Sequence, residues 1–158
     1  MNYKRNFIAV VIITSLFLGS CLDQYNICDQ SKITDLQAGF YQRTGGVETV
    51  TTAPSFTLAL LNSSSSTYNQ QSGVSKFSLT LNQTVGSSKY FIKVSNSLPA
   101  DTITFFYTTQ NFTISPECGT VPVFNLSGVS STLNTIDSVK IINPTINTTG
   151  TENLKIYF

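Results

Sequence analysis

The sequence predicts an all-β protein, a single Ig-like antiparallel β-sandwich of about seven to nine short strands. Three observations carry that prediction. Beyond residue 32 the apolar residues recur with a period of two and not with the helical period. The periodic runs are roughly five to seven residues long and are spaced roughly 8–12 residues apart, the rhythm of a sandwich or barrel. No stretch after the N-terminal segment sustains an amphipathic helical pattern. Two sheets with one apolar face each satisfy such a pattern by burying those faces against one another.

The elements follow in chain order. Strands are expected at 36–42, 47–52 and 56–61, with Gly45-Gly46 as the first turn. The stretches 63–66 and 71–73 read as loops, and Ser-rich 62–67 as a hairpin tip. Phe77-Ser78-Leu79-Thr80-Leu81 alternates cleanly, as do Tyr90, Ile92 and Val94, then Ile103, Phe105 and Tyr107. Phe112 with Ile114, Val121 with Val123, Val139 with Ile141, and Leu154, Ile156 and Phe158 complete the series. Threonine is frequent between these positions and suits a pleated, half-buried surface. Pro99, Pro116 and Pro144 punctuate strand ends. The stretch 129–134 fits either a helical turn or a crossover.

The first twenty residues have a different character. Lys4 and Arg5 precede an apolar run from Phe7 to Leu18. About twelve residues is the length of a secretory h-region and is short of the roughly twenty that span a bilayer. Leu18-Gly19-Ser20-Cys21 then reads as a lipobox: small residues before the cut let extended backbone enter a peptidase, and the Cys21 thiol accepts the diacylglyceryl group. The expected organisation is a signal peptide over 1–20, a lipidated tether over 21–32 and a β-sandwich over 33–158. The implied partner is a lipid bilayer, held through acylated Cys21.

Removing twenty of 158 residues leaves 138, the size of one domain. Nine basic and eight acidic residues become seven and eight once Lys4 and Arg5 leave, a net charge of −1. No basic cluster survives, so nucleic acid has no electrostatic footprint here. With Cys21 acylated, Cys28 and Cys118 remain, and in an oxidising compartment two cysteines read as one disulfide. The alternative, a metal or redox pair, lacks a CxxC spacing and any histidine to complete a zinc site.

The absence of histidine excludes Ser-His-Asp and Cys-His catalysis. The acids Asp23, Asp29, Asp35, Glu48, Asp101, Glu117, Asp137 and Glu152 are scattered and sit beside turn residues or strand ends. They read as loop-solvating groups, although a glycosidase pair can converge from distant strands. No catalytic residue, metal ligand or cofactor is assigned. Five Asn-x-Ser/Thr sequons, at Asn62, Asn82, Asn111, Asn125 and Asn147, reflect composition. Asp101-Thr102-Ile103 and Asp137-Ser138-Val139 look like the Asp-Ser/Thr-aliphatic acceptor of envelope O-glycosylation in Bacteroidetes-type bacteria, which marks Thr102 and Ser138 as candidate modification sites.

Four stretches stand out together: Asp101-Thr102-Ile103-Thr104-Phe105-Phe106-Tyr107, Phe112-Thr113-Ile114-Ser115-Pro116-Glu117-Cys118-Gly119, Phe124-Asn125 and Leu154-Lys155-Ile156-Tyr157-Phe158. In them the chain resembles a family of small uncharacterised lipoproteins of Bacteroidetes-type bacteria, a domain of unknown function. Cys21 followed seven residues later by Cys28 fits the front of the same pattern. The resemblance implies a lipoprotein and a β-rich fold but no activity. Where its members carry a histidine before the final strand, this chain has Glu152-Asn153.

The function expected from the sequence is a non-enzymatic structural or interaction module of the cell envelope. Its setting is the outer membrane, on the periplasmic face, with an envelope protein or a glycan as partner. A glycan-binding or fimbria-related adhesin is the alternative, with 154–158 as the candidate donor strand. A small outer-membrane barrel and a hydrolase are further alternatives.

Overall fold

The computed structural model describes residues 28–63 and 65–158. The leader, Cys21 and most of the expected tether lie outside the described residues. Eleven strands and no helix make up the described chain, so no helix there is long and apolar enough to cross a membrane. The strands are β1 (Leu36–Thr44), β2 (Val47–Val50), β3 (Phe56–Leu60), β4 (Ser66–Gln71), β5 (Lys76–Leu79) and β6 (Ser87–Lys93). They continue as β7 (Asp101–Ser115), β8 (Gly119–Ser131), β9 (Ser138–Ile141), β10 (Thr145–Ile146) and β11 (Leu154–Tyr157).

Two sheets pack as a sandwich, as the alternation predicts. The first runs β2-β1-β11-β9, and β5 pairs the front half of β1 on the edge where β2 pairs the back half. The second runs β10-β8-β7-β6-β3-β4. Their facing sides meet in one core, built from Leu36, Phe40, Leu154 and Ile156 of the first sheet and Phe56, Leu58, Ile92, Ile103, Phe105 and Phe124 of the second. Phe40 is its hub, with the rings of Phe56, Phe77 and Phe158 all centred within 5.3 Å.

The sandwich departs from the expectation in four ways. There are eleven strands, more than the seven to nine expected. The sandwich is not wholly antiparallel, because β1 and β11 pair in parallel, Tyr41 opposite Tyr157. A strand, β4, stands where 62–67 and 71–73 read as tip and loop. It is an edge strand exposed along nearly its whole length, so no apolar alternation marks it. Only Tyr68 turns inward, packing on Phe56 and accepting the Ser78 N–H on its hydroxyl. Finally, β7 fuses the segments expected around 103–107 and 112–114, because polar Thr108 to Asn111 continues the ladder to β8. The stretch 129–134 ends β8 and turns away after Ser131. The extra residue Ser127 falls between Gly128, opposite Phe106, and Leu126, opposite Tyr107, which makes a bulge.

β11 lies in the interior of its sheet, between β1 and β9, with Leu154 and Ile156 fully buried. This is the strand that the adhesin alternative treats as a donor; here it completes its own sheet. Asn153 fixes its start. The Asn153 carbonyl oxygen Oδ1 accepts the Gln37 N–H at 3.0 Å, while Nδ2 donates to the Asn143 and Thr145 carbonyls. All of this buried amide is therefore paired.

The two ends of the sandwich are held by different chemistry. At one end the buried Asp101 carboxylate accepts the Thr132 hydroxyl at 2.7 Å and the N–H groups of Asn134, Thr135 and Ile136 at 2.6–2.9 Å. Burial alone raises its pKa, but these hydrogen bonds outweigh burial and leave it below the usual aspartate value. Leu133, at φ +56°, is held in the left-handed region by the same loop. At the other end the expected Cys28–Cys118 disulfide is present and closes a separation of 90 residues.

β6 pairs with β7 only over Asp101 to Phe106 and β10 pairs with β8 only at Phe124 and Asn125, so past Thr109 the β7–β8 hairpin extends as a two-stranded ribbon. The disulfide sits at its tip and ties it to the segment 28–35 that leads back to β1. A two-stranded ribbon has little stability of its own, so this cross-link orders both.

The Cys28→Ser/Cys118→Ser variant should lose about 4–5 kcal/mol of unfolding free energy in urea titration, as expected for closing a loop of this size. Asp101→Ala removes the acceptor of three N–H groups, that of buried Ile136 among them, and should lose about 2 kcal/mol by the same measurement; unchanged midpoints would count against these roles.

Candidate functional site

Because Ala38 and Phe40 face the core, Gly39, Tyr41 and Arg43 face outward from β1. By the same alternation Lys155 and Tyr157 face outward from β11. The parallel register sets Gly39 beside Lys155 and Tyr41 beside Tyr157, and the hairpin sets Glu48 of β2 opposite Arg43. Six chemically active side chains therefore meet on the outer face of the first sheet, counting Glu152 just before β11.

Glu48 is the centre of the group. It accepts from Arg43 Nη2 and Lys155 Nζ, each at 2.8 Å, and from the Tyr157 hydroxyl at 2.9 Å. These three bonds hold its carboxyl at a pKa of about 2. The same contact raises the pKa of Arg43 and of Lys155. Arg43 also lies over the Tyr157 ring at 4.5 Å, and Lys155 over the Tyr41 ring at 4.6 Å. The Tyr41 hydroxyl donates to both oxygens of Glu152, at 2.9 and 3.0 Å.

Gly39 makes room for this arrangement. A Cβ there would fall on the Glu152 carboxylate and press on the Tyr41 ring, so only glycine lets the carboxylate lie across the strand. Tyr41 and Tyr157 are 9 % and 3 % exposed although they are on an outer face, because the charged chains cover them. Burial, then the hydrogen bond to a carboxylate, raises the pKa of both phenols.

The chemistry open to this ledge is limited by its own pairing. Glu48 stays ionised between its partners and has no proton to give at neutral pH. The tyrosine faces are covered by cations, which leaves no open ring for a sugar to stack on. Beside the ledge, Gln42, Arg43, Thr44, Asp137, Ser138 and Tyr157 line an open pocket of about 450 Å³. No group of three or more His, Cys, Asp or Glu side chains among the described residues is arranged to hold a metal ion.

The two candidate modification sites differ in setting. Ser138 is exposed on edge strand β9, and Asp137 before it is exposed as well. Thr102 lies in the interior strand β7, half-buried, with its N–H bonded to Thr132 Oγ1. Its neighbour Asp101 is the buried clamp of the 132–136 loop. Cys28 and Cys118 meet; Cys21 lies outside the described residues. The ledge itself escaped sequence reasoning. Its only signal is the row of polar and aromatic residues at alternate positions in the first and last strands, and their meeting depends on a parallel pairing over more than a hundred residues.

These features define an all-β sandwich, disulfide-closed at one end, with a charge–tyrosine ledge on one outer face. The chain belongs to a family of unknown function, DUF6452, whose model matches residues 49–158. The match starts inside β2, so it takes in Glu48's neighbours Lys155 and Tyr157 but neither β1 nor Cys28. No curated protein and no solved structure matches the chain.

The ledge gives a pH signature. Because the folded Glu48 pKa lies below its ordinary value of 4.5, its stabilisation is present above that pH and is lost as pH falls towards about 2. Glu48→Gln should melt at a lower temperature than the parent at pH 7. Between pH 4.5 and 2 the gap between the two melting curves should narrow. A constant gap across that window would show that folding leaves the Glu48 pKa at its ordinary value and that its partners do not stabilise the charged form.

Proposed function

We propose that the protein is a lipid-anchored lipoprotein of the cell envelope whose sandwich is a non-enzymatic structural or interaction module. Its anchor is acylated Cys21, and its setting is the outer membrane, on the periplasmic face. The observation that carries this reading is the Cys28–Cys118 bridge. The chain seven residues after the lipobox cysteine is tied to one end of the domain, and six intervening residues leave no room for a long stalk. A disulfide also agrees with the oxidising compartment to which the leader directs the chain.

The non-enzymatic part of the reading is supported by the ledge. The two carboxylates gathered on one face, Glu48 and Glu152, are engaged by cations and tyrosines, an arrangement that stabilises and does not transfer protons. The pocket beside Ser138 lies at the end of the sandwich away from the disulfide, next to the residues clamped by Asp101. An envelope protein or a glycan reaching the domain from the periplasm would meet that end first. The glycan-binding alternative has this polar pocket in its favour.

Metabolic labelling with a palmitate analogue tests the anchor. The full chain should take up label and sediment with membranes, and Cys21→Ser should do neither. Equal labelling of both chains would reject the assignment.

A further inference from the structure

We propose that the β7–β8 ribbon is the membrane-contacting foot of the domain and that Phe112 is its insertion residue. The Phe112 ring enters the boundary between headgroups and acyl chains of the bilayer that holds acylated Cys21. The inference rests on the lipoprotein reading above and adds to it a second, non-covalent contact and an orientation.

The reach of the chain comes first. From Cys21 to the disulfide at the ribbon tip there are seven residue steps, at most about 25 Å when fully extended. The ribbon from residue 110 to 115 is about 17 Å long at the rise of an antiparallel strand. A tether this short keeps the ribbon tip within about 25 Å of the anchor and lets the ribbon lie along the bilayer surface.

Composition comes second, and it is independent of reach. Across 108–125 the chain has a single charged residue, Glu117, among threonines, asparagines and apolar side chains. Phe112 is 59 % exposed on the outer face of this ribbon. With Val121, Val123 and the 147–149 loop it lines a shallow pocket of about 290 Å³. An aromatic ring amid hydroxyl and amide groups suits the interface, where one end of a surface is apolar and the other is wet. Glu117 is exposed at the turn and favours water. The ribbon therefore rests on its Phe112 face and does not stand on its tip.

One ring adds too little to hold the protein by itself. Its effect is to select a face: the second sheet's outer side at the disulfide end meets the lipid, and the opposite end, with the Gly45-Gly46 turn and the pocket beside Ser138, points away.

Tryptophan scanning tests this, since the chain has no native tryptophan. The acylated full-length protein is reconstituted into phosphatidylethanolamine–phosphatidylglycerol vesicles with and without lipids brominated on their acyl chains. Phe112→Trp should be blue-shifted on vesicle binding and lose about half of its emission or more to the brominated lipid, as a ring at the acyl boundary does. Val47→Trp, at an equally exposed apolar site in the far turn, should show neither change. Gln110→Trp lies two residues earlier on the same face and gives the same readout if Phe112→Trp does not fold. Emission at 112 or 110 that matches position 47, in protein that co-floats with the vesicles and carries acylated Cys21 by mass spectrometry, overturns the foot while leaving the lipoprotein reading intact. An unmodified Cys21 in that mass spectrum overturns the lipoprotein reading and the foot with it.

Discussion

The parallel pairing of β1 with β11 is the contact on which the rest of the fold depends. It joins Ala38 to Leu154 and Tyr41 to Tyr157 across more than a hundred residues of chain. Without it β1 would keep only the short β2 and β5 as neighbours, and β9 would have no sheet to join. Inward, the pairing sets Phe40 beside Ile156 under the aromatic cluster. Outward, it brings Tyr41, Lys155 and Tyr157 to one place. Core and ledge are thus two faces of one register, and a slip of one residue would exchange them. Asn153 opposes such a slip, because its buried amide fits only where the Gln37 N–H and two loop carbonyls converge.

The sandwich was legible in the sequence because its core strands carry clean alternation. Phe77 and Leu79, or Ile103, Phe105 and Tyr107, announce a half-buried pleat without any tertiary knowledge. The disulfide was legible by counting, once Cys21 is given to the lipid. What escaped is what composition does not mark. β4 is nearly all exposed, so Ser66 to Gln71 has no inward face to detect. The 108–111 stretch is polar and mostly exposed, and it read as a gap between two strands. Glu48 and Glu152 looked like isolated loop acids, since nothing local shows that residues 43, 48, 155 and 157 will share a surface. The same blindness covers Asp101. As part of a modification-like motif it read as a solvated strand start, whereas it is a buried carboxylate that organises the 132–136 loop.

The two ends of the domain now have separate tasks. At the Asp101 end a charged group is buried and over-satisfied, and this rigidity holds Leu133 in a conformation that a free loop would abandon. At the disulfide end rigidity comes from a covalent bond, because past Thr109 the hairpin has no flanking strand. The ion pairs of the ledge are exposed and contribute less than their number implies, but they screen two tyrosine rings from water on a face with no covering sheet.

The same parallel pair fixes when the domain can form. β1 emerges more than a hundred residues before its partner β11, so the first sheet cannot close until residue 154 has left the ribosome or the membrane pore. Contacts of such sequence separation form slowly. On the envelope function proposed above, a chain of this design stays open during its passage across the inner membrane and commits to its native shape on the far side. There the thiols of Cys28 and Cys118 meet an environment able to oxidise them. Late closure, a hindrance for a protein that must fold at the ribosome, suits one that must first be exported unfolded.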